Sequence, residues 1–268
     1  MQRVELGRTG LSVSRLGLGT DILVGDVTQK RATEIILRAW ELGINLIDTD
    51  HTYGVYPALA DALPHMDRSQ LVLVTKTYEK TRRGALKDVE RALRTLSLDY
   101  IDLFLLHAVD TMDHYAEVAG ALEGLQEAQA KGWIRHIGLS THVVPIMMVM
   151  ADHPEIEAIL TVLNLTGKNM RRSGSREQME QAIKRCYEAG QGVYIMKPFA
   201  RGRLFDNENK DKPLQPDQVK QGLAYLYRFP FIHSVVPGMR SVQQVEQNVA
   251  IVEELTRQAQ SAQQRSTG

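Results

Sequence analysis

The sequence predicts an α/β fold, a closed (β/α)8 barrel entered through an N-terminal β-hairpin, and three observations carry that expectation. Eight short apolar strands alternate with eight amphipathic helices, with no break in composition between them. Successive strands run into polar or ionisable residues, above all residues 44–48, which lead into Asp48-Thr49-Asp50-His51-Thr52-Tyr53-Gly54. Active sites of barrels are built at that end of the strands. The glycines after the first strand, Gly17, Gly19 and Gly25, lack the Gly-x-Gly-x-x-Gly spacing, so a dinucleotide would have to bind by another route.

Taken in order, residues 1–15 read as two extended pieces around Gly7 and Gly10. Strands are expected at 16–20, 44–48, 71–75, 101–106, 134–139, 156–163, 192–196 and 234–236, where apolar and β-branched residues cluster. Helices are expected at 28–42, 57–63, 83–98, 114–130, 145–152, 176–189, 217–227 and 242–256, from apolar residues at helical spacing such as Ala32, Ile35, Ile36 and Ala39. Gly43 and Gly132 read as helix stops. The whole of 1–268 is one domain of barrel size, with a flexible tail from about 258 that is rich in Gln and Ser.

With 43% hydrophobic and 24% charged residues the composition is that of an ordinary soluble globular protein. Thirty-two basic residues balance 32 acidic ones, so no global field draws the chain to nucleic acid or to an anionic membrane. The single cysteine, Cys186, excludes an intramolecular disulfide and fits a reducing compartment. The charged N-terminus and the lack of a long apolar run lead to the expectation of a cytoplasmic enzyme outside the membrane. Oligomeric state is not legible.

In a barrel the second, third and fourth strands are neighbours, and their ends offer Asp48 with Tyr53, then Lys76, then His107. Singly, each residue type is commonly structural; together at successive strand ends they suit acid chemistry on a carbonyl. A tyrosine is a weak acid unless a cation stabilises its phenolate, and a lysine held by a carboxylate supplies one. Asp48 would hold Lys76, Lys76 would tune Tyr53, and His107 would orient the substrate oxygen or share the proton. None of these groups delivers two electrons, so a hydride donor must be recruited. After strand eight, Arg240 adjoins a Ser241-x-x-Gln244 capping pattern, and a capped helix start beside an arginine suits phosphate. Lys197, Arg201 and Arg203 after strand seven would add to it.

These residues resemble the aldo-keto reductase family over roughly residues 3–252. The resemblance is carried by the segment 6–20 (LGRTGLSVSRLGLGT), by Ile47-Asp48-Thr49-Asp50 with Tyr53-Gly54, by Val74-Thr75-Lys76, by Leu105-Leu106-His107, and by 134–140 (IRHIGLS). It implies an NADPH-dependent carbonyl reductase acting on a small-molecule aldehyde or ketone, with Asp48, Tyr53, Lys76 and His107 as catalytic residues. The cofactor positions it implies are Gly19, Thr20, Ser140, Thr141, His142, Asn164, Met196, Lys197, Pro198, Arg203, Gly238, Arg240, Gln244 and Asn248, the last toward adenine. Three departures cluster where the nicotinamide would lie. Ser140-Thr141-His142 stands where many members have Ser-Asn, Leu160 stands at the usual glutamine with Asn164 a turn later, and Met196-Lys197 replaces a stacking aromatic.

Two other readings stay open. The altered nicotinamide pocket also fits a cofactor-binding regulatory protein with little turnover. His51, His107 and His142 with Asp50 and Asp110 are candidate ligands of a metal-dependent hydrolase, although Lys76 would bring a repelling charge. The polar loop at 203–216, with Asn207, Glu208, Asn209, Lys210, Asp211 and Lys212, could close over a cofactor.

Overall fold

The structure, a computed structural model, describes residues 1–171, 173–205 and 214–266, with side chains to Ser261. Strands β1 (Arg3–Glu5) and β2 (Ser12–Ser14) form the expected antiparallel hairpin. After it come β3 (Leu18–Gly19), α1 (Gln29–Glu41), β4 (Leu46–Asp48), α2 (Tyr56–Ala62), β5 (Val72–Thr77), α3 (Arg82–Leu96) and β6 (Ile101–Leu106). The second half holds α4 (Met112–Glu117), α5 (Ala119–Ala130), β7 (Ile134–Thr141), α6 (Val144–Met150), β8 (Ala158–Val162), α7 (Arg176–Glu188), β9 (Gly192–Met196), α8 (Pro216–Tyr227), β10 (Ser234–Val236) and α9 (Val242–Ser266). From β3 to β10 the eight strands pair in parallel with their sequence neighbours. The sheet closes on itself because Gly17 N donates to Val235 O at 2.8 Å and Gly19 N to Pro237 O at 3.0 Å.

Two helices differ most from the sequence reading. The expected helix at 114–130 is two helices, α4 and α5, meeting at Val118. The last helix does not stop at Thr256 but continues to Ser266, since the Gln- and Ala-rich stretch contains good helix formers and no glycine or proline. Most of the polar loop at 203–216 lies outside the described residues.

Alternation along the strands decides what enters the barrel. Leu46, Val72, Val74, Leu103, Leu105, Ala158, Leu160, Tyr194 and Val236 form the inner core, and Leu6, Leu11 and Val13 of the hairpin join it. The outer core packs the opposite strand faces, including Ile47, Leu73, Phe104 and Ile159, against the helices. Gly7, at φ +56°, lets the hairpin turn lie on the backbone of Gly192, where a Cβ would meet its nitrogen at 2.2 Å. On β7, a side chain at Gly138 would strike Ala158 O at 2.4 Å, so only glycine fits between its neighbours. Inward positions continued two residues beyond the apolar layers are Asp48, Lys76 and His107, so strand periodicity itself brings these three to one end.

Candidate active site

Asp48 and Lys76 form a buried ion pair, with Lys76 Nζ 2.7 Å from Asp48 Oδ1. Nζ also donates to Thr49 O at 2.6 Å. The second carboxylate oxygen accepts from the Tyr194 hydroxyl at 3.1 Å. Tyr194 reaches it from β9 across the barrel, a contact that the sequence reading missed. A tyrosine inside an apolar barrel strand was the available signal, because a buried phenol needs a partner. Burial raises the Asp48 pKa, and Lys76 and Tyr194 oppose that rise. Thr20, expected beside the cofactor, donates both its backbone N–H and its hydroxyl to Asp48 O, each at 3.0 Å.

Tyr53 ends a single 3-10 turn, His51–Tyr53, capped by the Asp50 side chain. Its ring lies beneath Lys76 Nζ, 5.1 Å from ring centroid to nitrogen. Burial pushes the Tyr53 phenol well above the ordinary tyrosine range, and the carboxylates Asp48 and Asp50 add to the rise. Among the described residues no hydrogen bond joins Lys76 to the Tyr53 hydroxyl. The lysine is held by Asp48 and Thr49, and burial keeps the Tyr53 phenol protonated.

His107 closes the group from β6. Its Nδ1 lies 2.8 Å from Asp50 Oδ2, and its Nε2 lies 3.3 Å from the Tyr78 hydroxyl. The Tyr78 ring stacks on the imidazole at 4.1 Å between centroids. Burial lowers the His107 pKa against the opposing pull of Asp50. Burial would raise Asp50, but its bonds to His107 and Thr52 outweigh that and hold it below the usual carboxylate range. Asp50 and Tyr78 each stand two residues beyond a strand-end residue of the set, on the same alternation, and that spacing was the signal for them.

Across the mouth, the positions implied for the nicotinamide are engaged with protein partners. The Ser140 hydroxyl accepts from Ala108 N at 2.8 Å. Thr141 Oγ1 and His142 N both donate to Asp110 Oδ1, at 3.2 and 3.0 Å, and Arg171 pairs with the same carboxylate. Asn164 donates to Lys168 O at 2.8 Å and Lys197 O at 3.3 Å, while its Oδ1 accepts from Thr166 and Lys168. It therefore shapes the turn after β8. Leu160 belongs to the inner core, and Met196 packs against both cores. Lys197, at φ +54°, sends its ammonium across to His142 Nε2. Burial, with Arg201 nearby, lowers Lys197 to about 8, and burial with Lys197 lowers His142 to about 4. His142 is thus a neutral acceptor for the ammonium.

On the remaining side, Gly19 and Gly238 line the seam between β3 and β10. A Cβ on Gly238 would meet Ile22 at 2.6 Å, and one on Gly19 would meet Val236 O at 3.0 Å. The expected capping pair is half formed as read: Ser241 Oγ accepts from Gln244 N at 3.2 Å, but Gln244 Oε1 accepts from Arg240 N, one residue earlier, at 2.7 Å. Arg240 and Arg203 are exposed, Pro198 and Asn248 buried. Among the described residues no ion pair engages the Arg240 side chain. That donor set fits the anionic part of a dinucleotide.

The metal candidates do not assemble. His107 is on Asp50 and His142 is on Lys197, and among the described residues no three His, Cys, Asp or Glu side chains converge on one point. No described helix is long and apolar enough to cross a membrane.

The sequence matches the model of the Aldo/keto reductase family over residues 15–223. The chain belongs to the aldo-keto reductase family. It is 26% identical to L-galactose dehydrogenase of Arabidopsis thaliana, over 95% of this chain and 90% of that protein. It is 25% identical to the NADH-specific methylglyoxal reductase of Escherichia coli, over 79% and 71% respectively. An aldo-keto reductase of Bacillus halodurans solved in a holo form superposes with a TM-score of 0.77 at 25% identity, covering 94% of this chain and 91% of that one. As a family member the chain is an oxidoreductase of carbonyl chemistry, and the (β/α)8 fold is the one its relatives share.

Proposed function

We propose that this aldo-keto reductase reduces an aldehyde or ketone to the alcohol with NADPH, Tyr53 donating the proton. The observation that carries this reading is the packing of the Tyr53 ring against Lys76, itself anchored by the buried Asp48. As the carbonyl oxygen gains negative charge, the Tyr53 hydroxyl donates to it. The Lys76 ammonium close by makes the resulting phenolate less costly than in an apolar site. Asp48, locked by Lys76 and Tyr194, keeps that cation in place. His107 and Tyr78 border the position where the substrate oxygen would lie.

A nicotinamide, when bound, supplies the hydride that none of these side chains has. Arg240, with Gly238 and the start of α9, would hold its phosphate-bearing end, and Lys197 and His142 its nicotinamide end. The reading toward NADPH rests on Arg240, because a guanidinium matches a phosphate monoester with paired donors. The E. coli relative is NADH-specific by name, so this preference is a property of individual members.

The test is a titration of purified protein with NADPH and NADH, followed by addition of an aromatic aldehyde. Binding with oxidation of the cofactor is expected, and Tyr53→Phe should lose about a hundredfold or more of the rate while binding NADPH as before. Undiminished reduction by the Phe variant would remove Tyr53 from the acid role.

A further inference from the structure

Two lysines face the mouth, and they differ in how their charge is met. Lys76 is neutralised by Asp48, whereas among the described residues no carboxylate pairs with Lys197. Lys197 follows β9 and its ammonium reaches His142, one residue beyond β7, so it spans the end of β8 between them. The imidazole receives the ammonium on the Nε2 lone pair, so the ring is neutral and supplies no negative charge. The carboxylates on this side are committed elsewhere, Asp110 to Arg171 and Asp21 to Arg201 at 3.7 Å. Both of those guanidiniums face Lys197, and Asp21 opposes them. This side of the mouth therefore keeps an uncompensated positive charge, held by a half-buried ammonium. Asp21 acts on the Tyr53 phenol as well, so Lys197 and the acid group border the same space.

We propose that Lys197 discriminates between the two redox forms of the cofactor, repelling the positive nicotinamide ring and accepting the neutral dihydronicotinamide. This rests on the reading above that puts the nicotinamide end beside Lys197 and His142, and it deepens that reading. The dihydronicotinamide ring is uncharged, and giving a hydride to a carbonyl carbon leaves it with one positive charge. Phosphates, riboses and adenine are the same in both forms. The ratio of the two affinities therefore reports the field at the ring end alone. A half-buried ammonium is screened by salt much less than an exposed one, so its charge acts on the ring. At an effective dielectric constant of about 20, that repulsion weakens the oxidised form about tenfold relative to the reduced form. Where the resemblance implies a stacking aromatic, Met196 and Lys197 replace an uncharged contact by a cation. Lys197 thereby speeds release of the spent cofactor after reduction and handicaps the reverse reaction, which must begin with the oxidised form.

The experiment is calorimetric titration of the purified protein with NADPH and NADP+ at pH ~7, and in parallel with NADH and NAD+, which differ by the same ring charge. The wild type should bind the oxidised form about tenfold more weakly than the reduced one. Lys197→Met keeps a long side chain and removes its charge, and it should bring the two forms within about twofold by strengthening the oxidised form alone. Lys197→Arg should keep the discrimination. The charged and titratable groups facing Lys197 are His142, Arg201, Asp21 and Arg171. Burial, together with the two guanidiniums and against Asp21, lowers Lys197 to about 8. Its charge is lost above that pH, so from pH ~7 to ~9.5 the wild-type ratio should shrink while the Lys197→Arg ratio holds. This pH series decides the matter even if Lys197→Met does not fold. Equal weakening of both forms in Lys197→Met would put the ammonium on the phosphates that they share and overturn the proposal. So would equal affinities in the wild type, or a ratio that neither the Met variant nor alkaline pH reduces. Failure to bind any of the four nucleotides would instead overturn the oxidoreductase reading, and this proposal with it.

Discussion

At the ends of β4, β5 and β6 the charged side chains are joined to partners on other elements, Lys76 to Asp48 and His107 to Asp50. At the end of β10 the Arg240 side chain stands exposed, and only its backbone N–H is bonded, to Gln244. The two sides of one mouth therefore differ in when their electrostatics are satisfied. Charges facing the barrel axis are in a low-dielectric interior, where an unpaired ion costs several kcal/mol, so they must be matched before a ligand arrives. A cation at the rim is hydrated at little cost and can wait for a phosphate. The side proposed for chemistry is preorganised, and the side proposed for binding is left open.

The largest expected effect breaks the preorganised side. Lys76→Met leaves Asp48 buried without its cation and should cost about 3–5 kcal/mol in urea unfolding, since removing one partner of a buried pair leaves an uncompensated charge. A loss below about 1 kcal/mol would mean that Tyr194 alone satisfies Asp48. Between the two sides lies Asn164, whose amide holds the turn after β8 from both ends. Asn164→Ala should destabilise by about 1–3 kcal/mol, the cost of leaving buried partners unsatisfied, and a change confined to nicotinamide affinity would assign the residue to the cofactor instead. On the open side, Arg240→Ala should weaken NADPH about tenfold, leave NADH nearly unchanged and leave the melting temperature where it was. Equal losses for both nucleotides would put the guanidinium on a part that they share.

A further expected effect is a slope with pH. The His142 pKa is lowered to about 4 by burial and by Lys197, so the unfolded chain, with histidine near 6.5, binds more protons in between. The histidine contribution is complete above pH ~6.5 and is lost as the pH drops toward about 4, with His107 and His233, both lowered by burial, adding to the trend. Thermal unfolding from pH 7.5 to 4.5 measures it, and His142→Gln should flatten part of the slope. An unchanged slope would mean that His142 titrates normally in the folded chain.

Much of the mouth was legible because its logic is local. A strand of period two that places apolar Leu46 inward places Asp48 inward as well, and the same holds for Val74 with Lys76 and Leu105 with His107. What was not legible were the partners. The segment 48–54 offers two aspartates, and nothing along the chain says that Asp48 goes to Lys76 and Asp50 to His107. Asn164 and Ser140 read as ligand-facing polar residues, and nothing along the chain says that Asn164 also donates to Lys168 O or that Ser140 accepts from Ala108 N.

By itself, then, the sequence determined the barrel, the hairpin that precedes it, and the end at which Asp48, Tyr53, Lys76 and His107 collect, because periodicity, turn residues and strand order are encoded residue by residue. The closed sheet decided the rest. It brought Tyr194 across the axis to Asp48, set Lys197 against His142, and placed Nδ1 of His107 beside Asp50. Those pairings join residues 55 to 146 positions apart. They follow from desolvation, since a polar group sealed inside the barrel must find whichever partner the strand geometry brings within reach.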